Sequence, residues 1–146
     1  MQAVFAELFN REIQTLKKEI ASFKDEANIW KALPGVTNTA GNLALHLMGN
    51  LNHFIGATLG DTGYKRDRDA EFSSKNVSRE TLLIDIDRTA AMADKVLTGI
   101  SPEKLQAPFP FEMFGKRDTS FYLFHFYGHL TYHNGQINYL RRILEA

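Results

Sequence analysis

Proline placement constrains this chain most. Its only prolines are Pro34, Pro102, Pro108 and Pro110, and all four fall between long runs in which apolar residues recur every three or four positions. Proline lacks the amide hydrogen that a helix interior needs and biases the preceding residue away from helix. The runs are therefore free to be helices, and the proline-bearing stretches separate them. In the first run Phe5, Phe9, Ile13, Leu16, Ile20 and Phe23 share one stripe, and Leu33, Pro34 and Gly35 end the segment. Thr37, Asn38 and Thr39 are good caps for a second helix through Leu43, Leu47, Leu51 and Ile55. Gly60, Asp61, Thr62 and Gly63 close it, and a charged loop follows. Ser78 caps a third helix with Leu82, Ile86, Ala90, Ala93, Leu97 and Ile100 on its stripe. Ser101, Pro102 and Glu103 read as a cap with proline in the first turn of a short extra helix. Pro108 and Pro110 hold the next stretch irregular, or at most as a short strand. Thr119 or Ser120 then starts a fourth helix that runs to Leu144.

Amphipathic helices of about 20 residues each are the parts of an all-α four-helix bundle. The connections after the second and third helices are long, roughly 15 to 20 residues where bundles usually need about 2–8. Long crossover loops are expected, and simple up-down-up-down order is not required. A chain of 146 residues suits one domain spanning 1–146, large enough to bury a core without staples. The absence of Cys excludes a disulfide scaffold, a Cys nucleophile and any thiolate metal site. With 17 basic and 17 acidic residues there is no electrostatic footprint for nucleic acid or an anionic membrane. The most apolar stretch, 42–59, is broken by Asn and His, which argues against a membrane span. The N-terminus lacks a basic start followed by an apolar run. The expectation is a soluble, cytoplasmic protein that acts on a small molecule.

The histidines carry the chemistry. Of five, His46 and His53 fall on the second helix and His125, His129 and His133 on the fourth. Residues four apart on a helix project from one face, and two imidazoles at that spacing can hold one metal ion. His125 and His133 lie about 12 Å apart along the axis and about 80° apart around it. A single ion with bonds near 2.1 Å therefore uses one adjacent pair, and a further ligand must come from the second helix. Spacing alone does not choose between His46 and His53. Gly49 and Gly56 on the second helix, and Gly128 and Gly135 on the fourth, suggest close approach of the two His-bearing backbones, or a ligand lying against them. A carboxylate di-iron bundle needs Glu-x-x-His, and neither that motif nor His-Glu-x-x-His is present. All-imidazole ligation suits Zn, Ni, Fe or Cu over Mg or Ca, and three ligands leave a position open for chemistry.

The run from His129 through His133 to Gln136, with His, three residues, His, Asn, Gly, Gln, resembles the fourth-helix signature of the DinB-like, or YfiT-like, family of metal-dependent enzymes. The run from Asn38 to Leu51 resembles that family's second helix with its single metal histidine. The resemblance covers essentially the whole chain, including Trp30 before Pro34 and the loop with Tyr64, Arg66, Asp67 and Arg68. It implies His46, His129 and His133 as ligands, and a four-helix bundle of unusual helix order that is often a homodimer. Some relatives are thiol transferases or isomerases using mycothiol or bacillithiol, and many have no established activity. The family's usual Arg after the second helix-four histidine is Asn134 here, so a ligand-binding role for that Arg does not carry over.

These residues point to a mononuclear divalent-metal site (Zn, Ni or Fe) that activates an external low-molecular-weight thiol, or water, toward a reactive electrophile. Asn42, Asn50 and Gln136 lie within a turn of the ligands and are candidates to orient imidazoles or hold substrate. His53 and His125 are candidates for neighbouring groups outside the ligand set. The charged loop from Tyr64 to Asp69 is a candidate carboxylate-binding element through paired Arg forks. Phe109, Phe111, Phe114, Phe121, Phe124 and Phe126 are expected in the core, with an apolar mouth for substrate. No carboxylate falls on the His-bearing faces, which favours thiol transfer over hydrolysis. The competing readings are a metal-dependent hydrolase, a non-catalytic metal or small-ligand binding module, or a metal-free, pH-sensitive packing cluster.

Overall fold

The computed structural model describes residues 1–146. Helix α1, Gln2–Ala21, buries Phe5, Phe9, Ile13, Leu16 and Ile20. It stops well before Pro34. A separate 3-10 turn, Glu26–Trp30, follows it, with the Asp25 side chain accepting from Ala27 N. The first segment is thus two pieces. Helix α2, Ala40–Leu51, is capped by Thr39, whose side chain accepts from Asn42 N. Its axis continues through a π-helical turn, Asn52–Ala57, and a last turn, Thr58–Gly60. Helix α3, Arg68–Ser73, is capped by Asp67 and occupies what the sequence suggests is only a charged loop. Helix α4 is Arg79–Gly99 with Ser78 as cap, and α5 is Pro102–Gln106 with Ser101 as cap. Helix α6, Thr119–Leu144, starts where expected, capped by Asp118. Pro108 makes only an isolated bridge to Asp118, and the fold is all-α.

Side-chain pairs fix the helix directions. Phe5 meets Phe124, Phe9 meets Tyr127, and Arg141 bonds Glu19, so α1 and α6 run parallel. Phe54 stacks on Phe126 while His46 meets His133, so α2 runs antiparallel to α6. Gly56 faces Met92 and Gly60 faces Val96, so α2 and α4 are parallel neighbours. The order is up-down-down-up. Helices α1 and α2, consecutive in sequence, sit diagonally; α1 packs chiefly on α4 and α6, and α2 on α3, α6 and α4.

Parallel neighbours cannot be joined by a tight turn, because the chain must travel back the length of the bundle before starting again. That return is the segment from Asp61 to Ser78. It descends beside α2, with Arg66 over the Phe54 ring, Glu71 at the level of His46, and the Ser74 carbonyl at Asn42. The apolar faces meet in one cluster of 30 buried residues. Of the six phenylalanines expected inside, only Phe109 and Phe126 are buried; Phe111, Phe114, Phe121 and Phe124 are exposed. No helix is long and apolar enough to cross a membrane.

Candidate metal centre

The antiparallel register of α2 and α6 brings His46, His129 and His133 together. One ring nitrogen of each lies within 4.8 Å of the others. His129 Nε2 stands 3.0 Å from His46 Nε2 and 3.1 Å from His133 Nε2, close enough for ligand bonds of about 2.1 Å to one ion. His46 is buried, and the α6 pair is half-buried, so the cluster faces solvent on the α6 side.

The far nitrogens of two rings are already committed. Nδ1 of His46 lies 3.0 Å from Glu71 Oε1, and Nδ1 of His133 lies 2.6 Å from Gln136 Oε1. Oxygen on that side requires the hydrogen to be on Nδ1. Both Nε2 atoms are then lone pairs, and both point at His129 Nε2, which has at most one hydrogen to offer. No arrangement of hydrogens satisfies both contacts well. A cation does, and the residues present therefore fit one.

Charge state agrees with this. Burial, then the neighbouring His133 and His46 rings, push His129 down to about 3. Burial also lowers His46, outweighing its contact with Glu71. Neutral imidazole is the form that ligates metal.

Glu71 is the residue that sequence reasoning misses. It is buried, and Arg66 grips it with Nε to Oε2 at 2.8 Å and Nη2 to Oε1 at 2.9 Å. A carboxylate does reach the site, from α3 and not from the His-bearing faces. Because Arg66 spends its fork on Glu71, it is not the carboxylate receptor suggested for the Tyr64–Asp69 loop. Arg68 packs on the Phe72 ring instead.

The glycine expectation also changes. A Cβ on Gly49 would overlap the Glu71 carboxylate, whereas Gly128 and Gly135 face open space. Gly49 makes room for Glu71, not for α6. That glycine, one turn from His46, is the sequence signal that could have announced a side chain packed there.

Gln136 lies against His133, its Oε1 on Nδ1. Asn42 acts one step back: its Nδ2 donates to the carbonyls of Glu71 and Ser74, and its Oδ1 takes the Thr39 hydroxyl. Asn50 is buried one turn beyond His46. His53 and His125 do not join the cluster. His53 packs against Phe54 and Phe111, and His125 against Phe114 and Phe126; burial lowers both below the ordinary histidine value. Asn134 turns away toward α1, donating to the Glu12 carbonyl at 2.8 Å. Phe111, Phe114 and Tyr132 are exposed and lie beside His53, His125 and His133 respectively.

Fold and site together define a class: an up-down-down-up helical bundle with three histidines, from two antiparallel helices, that can hold a metal ion. The family model of the DinB superfamily matches residues 7–137, and the chain belongs to that superfamily. A DinB-like protein from Bacillus cereus ATCC 10987, known from its crystal structure, is similar in fold. It has a TM-score of 0.74 and 19% sequence identity, over 96% of this chain and 90% of that one. No curated protein matches.

Proposed function

We propose that this protein holds one divalent metal ion on His46, His129 and His133 and uses it to transfer a low-molecular-weight thiol to a small electrophile. The observation that carries the reading is the set of three Nε2 atoms aimed at one point, with Glu71 and Gln136 fixing two of the rings by their outer nitrogens. A divalent cation bound there supplies Lewis acidity, lowering the pKa of a thiol so that it ionises near neutral pH.

The chain's own residues hold and orient. Glu71 keeps His46 in the Nδ1–H form, and Arg66 holds Glu71 in place with two hydrogen bonds. Neither is free to act as a general base, since both Glu71 oxygens are engaged by Arg66 and one also by His46. That favours thiol transfer over hydrolysis: the thiol gives its proton to solvent as it ionises, and the sulfur then bonds to carbon as the carbon–halogen or carbon–oxygen bond breaks with its electron pair. A halide departs, whereas the opened ring oxygen of an epoxide stays attached and takes a proton from solvent. With no Cys in the chain, the thiol is external. The electrophile proposed is an epoxide or alkyl halide, and exposed Tyr132 beside His133 offers it an aromatic surface.

The test is metal content and turnover of protein purified without a histidine tag. One zinc, nickel or iron ion per chain is expected, with thiol–epoxide coupling above the uncatalysed rate. His129→Ala should lose both. Full metal loading with no coupling to any epoxide or halide would leave a binding module in place of an enzyme. A His129→Ala variant that keeps stoichiometric metal would remove the site itself.

A further inference from the structure

Two of the three clustered imidazoles have an acceptor on their outer nitrogen, and the third does not. His129 Nδ1 is buried with no hydrogen-bond partner, and so is Asn50 Oδ1. The two atoms belong to facing helices at the same height. The antiparallel register pairs Phe54 with Phe126 and His46 with His133, which sets Asn50 level with His129. Asn50 also lies one turn from His46 on the same face of α2, with 7% of its surface exposed.

Leaving either atom unpaired costs about 1–3 kcal/mol, so two complementary orphans at one level want a common explanation. Ligation supplies one. An imidazole that gives its Nε2 lone pair to a cation must carry its hydrogen on Nδ1, and His129 then presents a buried donor. Of the buried acceptors without a partner, Asn134 Oδ1 belongs to a side chain turned toward α1, whereas Asn50 Oδ1 belongs to the facing helix at the level of His129.

We propose that Asn50 is the positioning residue for His129 in the metal-loaded protein, its Oδ1 accepting the Nδ1–H. This rests on the three-histidine reading above. It completes a set in which each ligand is steered by its own oxygen: Glu71 for His46, Gln136 for His133 and Asn50 for His129. A fixed tautomer and ring plane raise ligand basicity, and loss of such a partner typically costs about 10–100-fold in metal affinity.

The test titrates zinc into chelator-stripped wild type, Asn50→Leu and Asn50→Asp against a chromophoric chelator, and records imidazole nitrogen–proton spectra of the zinc-loaded forms. Asn50→Leu matches the shape without the acceptor; Asn50→Asp keeps an oxygen there. We expect Asn50→Leu to bind zinc at least tenfold more weakly and to lose the slowly exchanging His129 Nδ1–H resonance, and Asn50→Asp to retain that resonance. Equal zinc affinity with an unchanged resonance in Asn50→Leu would overturn this assignment alone. Wild type that takes up no zinc would overturn the metal reading and this assignment together.

Discussion

At the residue scale, the behaviour of the three imidazoles is set by what lies behind them. Glu71 faces His46 across a 3.0 Å contact and can exist there only because residue 49 has no side chain. Two substitutions separate its roles. Glu71→Gln removes the charge that steers His46 and should weaken zinc binding by about 10–100-fold in a chelator competition. Gly49→Ala forces the carboxylate aside, so it should lower metal affinity in the same assay and also destabilise the fold by about 1–3 kcal/mol by overpacking, read by urea denaturation. Unaltered affinity in both would mean that Glu71 is only a structural ion-pair partner for Arg66.

His129 makes a pH prediction. Its pKa is depressed in the fold, to about 3, against about 6.5 for a free imidazole. The unfolded chain therefore binds the proton more readily, and the metal-stripped protein loses stability as pH falls from about 6.5 toward 3. Above that window this group contributes a constant amount. His46, lowered in the same direction, adds to the slope. Denaturation midpoints of stripped protein should fall through this range, and His129→Gln should flatten the fall.

At the scale of elements, the long helices were legible from sequence because each one carries a continuous apolar stripe; α1, with no side-chain cap and no breaker at Ala21, ends where sequence gives no sign. Thr39, Ser78 and Ser101 all cap as read. The π turn at Asn52–Ala57 was not legible, because no local pattern distinguishes it from α-helix. It is pinned by Asn52, whose Nδ2 donates to the Met48 carbonyl and to Thr89 on α4, a tertiary contact. Helix α3 escaped for a related reason. Its six residues are too few to show a period, and they fold because Asn42 ties the Glu71 and Ser74 carbonyls to α2. Asn42→Ala should cost about 1 kcal/mol for each of those bonds and, by loosening α3, raise hydrogen exchange across 66–74 and weaken metal binding. Exchange there equal to wild type would show that α3 is held by other means.

At the scale of the whole molecule, the up-down-down-up order explains why the site was half readable. Three histidines on two rods are visible as spacing, and that spacing limits them to one adjacent pair on α6 with one partner on α2. The choice of His46 over His53 came with the family resemblance; in the fold His53 lies two turns on, about 10.5 Å along the axis, beside Phe111. Glu71 was unreadable because only the return between the parallel neighbours α2 and α4 carries it to His46. The core of 30 buried apolar residues does not depend on the histidines. Chelation should therefore leave the far-ultraviolet circular dichroism unchanged and remove only the linkage term, about 2.7 kcal/mol when free ion is a hundredfold above its Kd. Collapse of helical signal on chelation would instead make the ion structural.

The convergence of three imidazoles on one cation is most directly tested by anomalous diffraction from crystals of untagged protein at the edge of the metal found by elemental analysis. The account predicts a single peak about 2.1 Å from Nε2 of His46, His129 and His133. No peak between those rings, with each ring satisfied by hydrogen bonds alone, would contradict it.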